Sequence, residues 1–224
     1  MTEDQSIWEQ PERVEQFAKR EPDARLMAIV ETIEDAAGNR VLDLGCAGGR
    51  NAVALAQLGF DVYALDSSVA MVAKTRDRMA AVIGDEAAAQ RVLCGCMEDL
   101  SGFETGFFHL VVALGVYHNA RNRDQWDRSL AETARVLSSD GRVLVANFTP
   151  RTDPEGSGMQ PVEDEPHVYI GFGVERLFLL EADDLDAEMS RHGLEPIVPS
   201  ETVTKTKDSG RRVTVNALYQ KRRA

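Results

Sequence analysis

Val41-Leu42-Asp43-Leu44-Gly45-Cys46-Ala47-Gly48-Gly49-Arg50 reads as a buried strand that runs into a tight glycine turn. A helical pattern follows from Asn51, and then a second apolar run that ends in an acid, Val62-Tyr63-Ala64-Leu65-Asp66. Strand, glycine turn, helix, strand and acid, in that order, hold a nucleoside-bearing cofactor at the edge of a parallel sheet.

The alternation continues on both sides of this unit. Strands are expected at Arg40–Leu44, Asp61–Leu65, Arg91–Cys94, Phe108–Leu114 and Arg142–Phe148, and helices at Asn51–Leu58, Ser68–Ala81 and Asp124–Leu137. Ser67 or Ser68 is placed to cap the second helix, and Asp140-Gly141 to turn the chain after the third. Helices between successive strands imply parallel crossovers and a doubly wound α/β sheet. Ahead of it, residues 1–33 read as a helical cap, Glu12–Arg20 and Asp23–Ile33, broken at Glu21-Pro22 because the residue before proline avoids helix. Trp8, Val14, Phe17, Leu26 and Ile29 would face the core or the cleft.

After Pro150 the pattern changes. Arg151–Val162 is rich in Pro, Gly and acids and reads as a long loop, so residues 149–173 are expected to form a lid on a single domain spanning 1–224. Ala182–His192 reads as a helix. Glu201–Lys207, a turn at Asp208-Ser209-Gly210, and the alternating run Arg212–Gln220 read as an antiparallel hairpin.

The chain has 224 residues and a formal net charge of −12, which argues against a nucleic-acid substrate, since phosphate binding needs Lys and Arg. The basic tail Lys221-Arg222-Arg223 and the pair Arg211-Arg212 are short and read as solvated ends. No apolar run approaches the roughly 18 residues of a membrane span, and the acidic start Met1-Thr2-Glu3-Asp4-Gln5 is unlike a secretion signal, so a cytoplasmic monomer or homodimer is expected. The three cysteines, Cys46, Cys94 and Cys96, match no zinc or disulfide spacing and are read as reduced thiols, with metalloid binding as the alternative; no metal is expected.

The turn itself narrows the cofactor. A nicotinamide turn has glycine at its middle position so that the backbone can approach a pyrophosphate; here Ala47 stands there, and neither a Tyr-x-x-x-Lys pair nor a phosphate-loop motif occurs. Asp43, Gly45, Ala47 and Gly49 instead resemble the Asp-x-Gly-x-Gly/Ala-x-Gly pattern of class I S-adenosylmethionine-dependent methyltransferases, over roughly residues 35–150. Gly49-Arg50-Asn51 and Leu58-Gly59-Phe60-Asp61-Val62 look most like small-molecule enzymes related to the tellurite-resistance group. The resemblance implies a Rossmann-like, seven-stranded, mostly parallel sheet closed by an antiparallel hairpin.

It also implies a site. Gly45, Cys46, Ala47, Gly49 and Asn51 would line the methionine end, with amides there and at the helix start holding its carboxylate. Asp43 would brace the turn or meet the ammonium through water. Asp66 would accept hydrogen bonds from both ribose hydroxyls, unless it is only a capping residue, and Ser67 and Met71 would flank it. The adenine pocket falls at Cys96, Met97 and Glu98. Cys96 occupies the place where the family often has an acid, so the adenine amino group would be met by Glu98 or by backbone alone. The family pattern usually has Asp where His109 stands, a second departure. Leu114 and Gly115 would face the methionine part and the acceptor. Tyr117 and His118 are the catalytic candidates, His118 as a base or simply a satisfied polar residue, Tyr117 as packing or substrate contact. Arg20, His167, Tyr169 and Arg176 are candidates for reading a small-molecule acceptor from the lid. A non-catalytic cofactor-binding subunit is the competing reading.

Overall fold

The computed structural model describes residues 7–171 and 174–223. These form two compact units, one holding the chain up to Met97 with Phe108–Val112, the other Glu98–Phe107 and the chain from Ala113 onwards.

In the first unit a 3-10 turn, Ile7–Glu9, leads into α1 (Pro11–Ala18) and α2 (Ala24–Val30). Pro11 opens α1, where a missing N–H costs nothing, and the Asp23 carboxylate caps α2 by accepting the Arg25 amide at 3.0 Å. The break at Glu21-Pro22 falls where the proline rule put it. Val14 and Leu26 are buried, whereas Trp8, Phe17 and Ile29 stay half-buried. The central alternation follows as β1 (Arg40–Leu44), α3 (Arg50–Gln57), β2 (Asp61–Asp66), α4 (Val69–Ile83), α5 (Asp85–Arg91) and β3 (Val92–Cys94). β1 pairs in parallel with β2, Arg40 opposite Asp61, and β2 in parallel with β3, Ala64 opposite Val92. With β4 (Phe108–Leu114) the order in this unit is β4–β1–β2–β3.

In this unit one helix differs from the sequence reading. The short α5, started by Asp85 and Glu86 and rich in alanine, takes Arg91 from the expected strand; its guanidinium pairs with Asp61 at 2.9 Å. His109, where the family pattern usually has Asp, has its Nδ1 accepting the Arg40 amide at 3.0 Å.

The second unit carries a 3-10 turn at Tyr117–Asn119, α6 (Arg123–Val136), β5 (Leu137–Phe148), β6 (Gln160–Pro161), β7 (Val168–Gly171), β8 (Val174–Phe178), α7 (Ala182–Arg191), β9 (Leu194–Pro196), β10 (Glu201–Lys207) and β11 (Gly210–Lys221). The hairpin is present: β10 and β11 pair antiparallel, β11 lies antiparallel to β5, and the short β9, beyond the seven strands expected, joins β11. Trp126 of α6 stacks on Phe178 of β8, ring centroids 4.6 Å apart, at the centre of this core. β5 starts directly after α6, and the expected Asp140-Gly141 turn survives only as a kink within the strand, Asp140 having φ of 63°. The region expected to be a loop instead contains the antiparallel sheet β6–β7–β8. Its beginning is pinned by Thr152, whose hydroxyl donates to the Val213 carbonyl at 2.6 Å and accepts the Val213 amide at 3.1 Å. β6 has two residues, one of them proline, too few to show strand periodicity. The whole is a Rossmann-like α/β fold, mostly parallel, with an antiparallel end.

Gly48 shows how tightly the first unit closes around the turn. A Cβ there would lie 2.6 Å from the Ala18 backbone at the end of α1. Backbone cannot yield as a side-chain tip can, so Gly48→Ala is expected to cost about 1–3 kcal/mol, the usual range for overpacking, in urea unfolding followed by circular dichroism.

Candidate active site

The turn after β1 is built by the end of β2. Gly45, with φ of 68°, reverses the chain, and the amides of Gly45 and Cys46 both donate to the Leu65 carbonyl, at 2.7 and 3.0 Å. The next amide, Ala47, donates to Asp66 Oδ2 at 2.8 Å, while Asp66 Oδ1 accepts the Ser68 amide at 2.9 Å. Ala47 itself has φ of 47°, a left-handed conformation that costs an L-residue about 1–2 kcal/mol. Both its peptide groups are held, since its carbonyl accepts the Thr75 hydroxyl at 2.6 Å. Gly49, with φ of 76°, closes the turn by donating to the Cys46 carbonyl at 2.9 Å; a Cβ there would meet the Thr75 side chain at 2.9 Å. Arg78 of α4 donates to the Gly48 carbonyl. Thr75 and Arg78 had no signal in the sequence, because they reach the turn only once α4 packs on it.

Two acids lie beneath and beside the turn. Asp43 is buried and accepts the Ala52 amide at 3.1 Å; burial pushes its carboxyl up to about 7, against the pull of that amide and of Arg50. It braces the start of α3. Asn51 is buried and accepts the Asp23 amide at 3.0 Å, tying the cap to α3. Burial also raises the Asp66 carboxyl, opposed by the Ser68 and Ala47 amides and reinforced by Glu9. Asp66 is only half-buried, and each oxygen, with one N–H accepted, retains a lone pair for a further donor.

Around Asp66 the Gly95 amide donates to its carbonyl at 3.0 Å. Ser67 is exposed, and Ser68 is the residue that caps α4, its hydroxyl accepting the Met71 amide at 3.2 Å. Met71 and Met97 are buried apolar side chains. Cys94 and Cys96 are exposed, whereas Cys46 is buried beside Thr75 with its thiol pushed up by burial, so the three thiols do not share one environment. Among the described residues no group of three or more His, Cys, Asp or Glu is placed to hold a metal ion.

In the second unit, Glu98 Oε1 accepts the Gln125 side-chain amide at 2.9 Å, while its Oε2 is buried with no hydrogen-bond partner. Gly115 is exposed with φ of 85°, and Leu114 beside it is half-buried. Tyr117 is fully buried. Its hydroxyl lies 2.7 Å from Thr133 Oγ1, which itself donates to the Ser129 carbonyl, so the tyrosine proton is the one shared; burial raises its pKa far above the ordinary value. His118 is buried and stacked on Phe148 at 4.2 Å between ring centroids. Its Nδ1 accepts the Phe148 amide at 3.2 Å, so the neutral ring carries its proton on Nε2, and burial pushes the pKa down to about 3. Of the acceptor candidates, Arg20 lies over the Phe17 ring at 3.8 Å, Arg176 pairs with Glu165, His167 leans on Phe178, and Tyr169 sits in β7 opposite Leu177.

A Rossmann-like fold with a glycine turn answered by a strand-end acid defines a nucleoside-cofactor protein, and the comparisons say which. The family described as "Methyltransferase domain" matches residues 41–141. An uncharacterized methyltransferase of Schizosaccharomyces pombe is 30% identical over 109 residues, 49% of this chain and 71% of that protein. The solved structure of a SAM-dependent methyltransferase from Methanosarcina mazei superposes with a TM-score of 0.67 at 16% identity, over 88% of this chain and 98% of that one. The 1,6-didemethyltoxoflavin-N1-methyltransferase of Burkholderia thailandensis, solved with 1,6-didemethyltoxoflavin and S-adenosylhomocysteine, has a TM-score of 0.65 at 17% identity, over 97% of this chain and 81% of that one. The chain belongs to the S-adenosylmethionine-dependent methyltransferases of class I. No described helix is long and apolar enough to cross a membrane.

The buried Asp43 makes stability depend on pH. Its folded pKa, about 7, exceeds the ordinary carboxyl value of 3.8, so its contribution is complete below the lower value and is lost as pH rises through the upper one. Asp43→Asn is expected to flatten that decline, gaining on the parent protein between about pH 4 and 7 in urea titrations. A parallel fall in both proteins would show that Asp43 is ionised throughout.

Proposed function

We propose that the enzyme methylates a small-molecule acceptor whose attacking atom already carries an available lone pair, such as an amine nitrogen or a thiolate. The observation that carries this is the state of His118 and Tyr117. Both are sealed in and internally bonded, and their pKa values are displaced away from neutrality, so neither is poised to take a proton near pH 7. Such an acceptor needs positioning more than proton removal. The net charge of −12 suits a small or cationic acceptor better than a polyanion.

When bound, S-adenosylmethionine supplies an electrophilic methyl group for in-line displacement. The residues present fit it. Asp66 has lone pairs left for the ribose hydroxyls; in the second unit, taken by itself, Glu98 Oε2 is buried without a partner and would accept from an amino group. The amides of Gly45, Cys46, Ala47, Gly49 and Ala52 are used within the protein, which shifts the methionine carboxylate towards the first turn of α3 at Arg50 and Asn51. Met71 and Met97 offer apolar walls, and Cys96 and Ser67 an open rim. A kinship with the tellurite-resistance group is supported by Gly49-Arg50-Asn51 and Leu58–Val62.

Calorimetry with S-adenosylhomocysteine tests the cofactor assignments. Asp66→Ala is expected to weaken binding at least tenfold, about 1.4 kcal/mol, and Glu98→Gln to weaken it less than Glu98→Ala. An unchanged dissociation constant for Asp66→Ala would sink the ribose assignment. A panel of thiol, amine and phenol acceptors tests the reaction. His118→Gln should leave the pH–rate profile in place; a loss of about a hundredfold or more, the scale of general-base catalysis, would restore His118 as the base.

A further inference from the structure

We infer that Glu9 is a positioning residue for the cofactor's ribose side, acting across sixty residues of sequence on the amides that follow Asp66. The inference rests on the ribose reading of Asp66. The Glu9 carboxylate accepts the Val69 amide through one oxygen and the Ala70 amide through the other, each at 3.0 Å. Beside it the Ser68 hydroxyl donates to the Trp8 carbonyl at 3.1 Å. The opening amides of α4 are thus divided in order: Ser68 to Asp66, Val69 and Ala70 to Glu9, Met71 to the Ser68 hydroxyl. Two carboxylates share one helix start, where unpaired N–H groups and the helix dipole favour negative charge.

The segment that brings Glu9 there is held along its length. The Trp8 ring meets Phe17 edge-on at 5.6 Å, Glu15 pairs with Lys74 of α4, and the Ala18 backbone abuts Gly48. The segment meets the buried Ser68 through the Trp8 carbonyl, while Ser67 stays exposed and Gly45, Ala47 and Asp66 half-exposed. It is therefore a wall beside the ribose position and not a plug over it. Any tilt of the Ser68–Ala70 backbone moves the amide that orients Asp66 Oδ1, and Glu9 is what fixes that backbone from outside.

The test is a double-mutant cycle read by S-adenosylhomocysteine affinity and release rate. Glu9→Ala is expected to raise the dissociation constant about fivefold, mostly through faster release, with Glu9→Gln between it and the parent protein. In an Asp66→Ala background, Glu9→Ala should change affinity little further, because its effect passes through Asp66. Unchanged affinity and release in both Glu9 variants, with circular dichroism confirming the fold, would overturn the inference while leaving the ribose reading intact. So would full additivity of the two substitutions, which would make Glu9 a general stabiliser. If Asp66→Ala alone leaves affinity unchanged, the ribose reading fails and this inference falls with it.

Discussion

Three successive amides of the glycine turn, Gly45, Cys46 and Ala47, are caught by two acceptors at the end of β2, the Leu65 carbonyl and the Asp66 carboxylate. The rest of the site depends on this constraint. It sets where β1 stops, holds Ala47 in a left-handed conformation that an alanine does not choose, and aims α3 from Gly49. It also explains why Asp66 lies at the end of its strand. A residue there can reach back to the turn with one oxygen and forward to the Ser68 amide with the other, and still present lone pairs outward. Thr75 and Arg78 add a second tie from α4, on the Ala47 and Gly48 carbonyls.

The electrostatics around this turn are those of acids kept from water. Asp43 and Asp66 both hold their protons more tightly than free carboxyls, and desolvation is the largest cause in each case. In the second unit the same effect acts in the opposite sense on His118, whose charged form is the protonated one. A neutral imidazole stacked on Phe148 and a tyrosine hydroxyl spent on Thr133 make a rigid, uncharged pair. An enzyme whose cofactor carries the reactive methyl needs orientation and dryness above all.

The strand–turn–helix from Val41 to Asp66 was legible because its signals are local: apolar runs of strand length, glycines where the chain must turn, and an acid at a strand end. The C-terminal hairpin was legible for the same reason, its turn residues standing between two alternating runs. The three-stranded sheet at Gln160–Phe178 was not, since its first strand has two residues, one of them proline, too few to show alternation. α5 was missed because an alanine-rich stretch beside a strand carries no periodicity of its own. At the site, Asp66 could be named from its spacing beyond the turn and Asp43 from the motif that the chain resembles. Thr75, Arg78 and Glu9 could not, because each reaches the turn or the start of α4 across a fold that no local pattern announces.

By itself, then, the sequence determined the class of fold, the position of the glycine turn and the strand-end acid that answers it, all of them consequences of hydrophobic period and backbone permissiveness within about thirty residues. Only the tertiary structure decided the chemical state of the groups. Burial made Asp43 a weak acid, Cys46 an inert thiol and His118 a neutral ring, and it left Glu98 Oε2 without a partner. Protonation and hydrogen-bond satisfaction depend on how much water and which dipoles surround a group, and those are set by side chains brought together from distant parts of the chain.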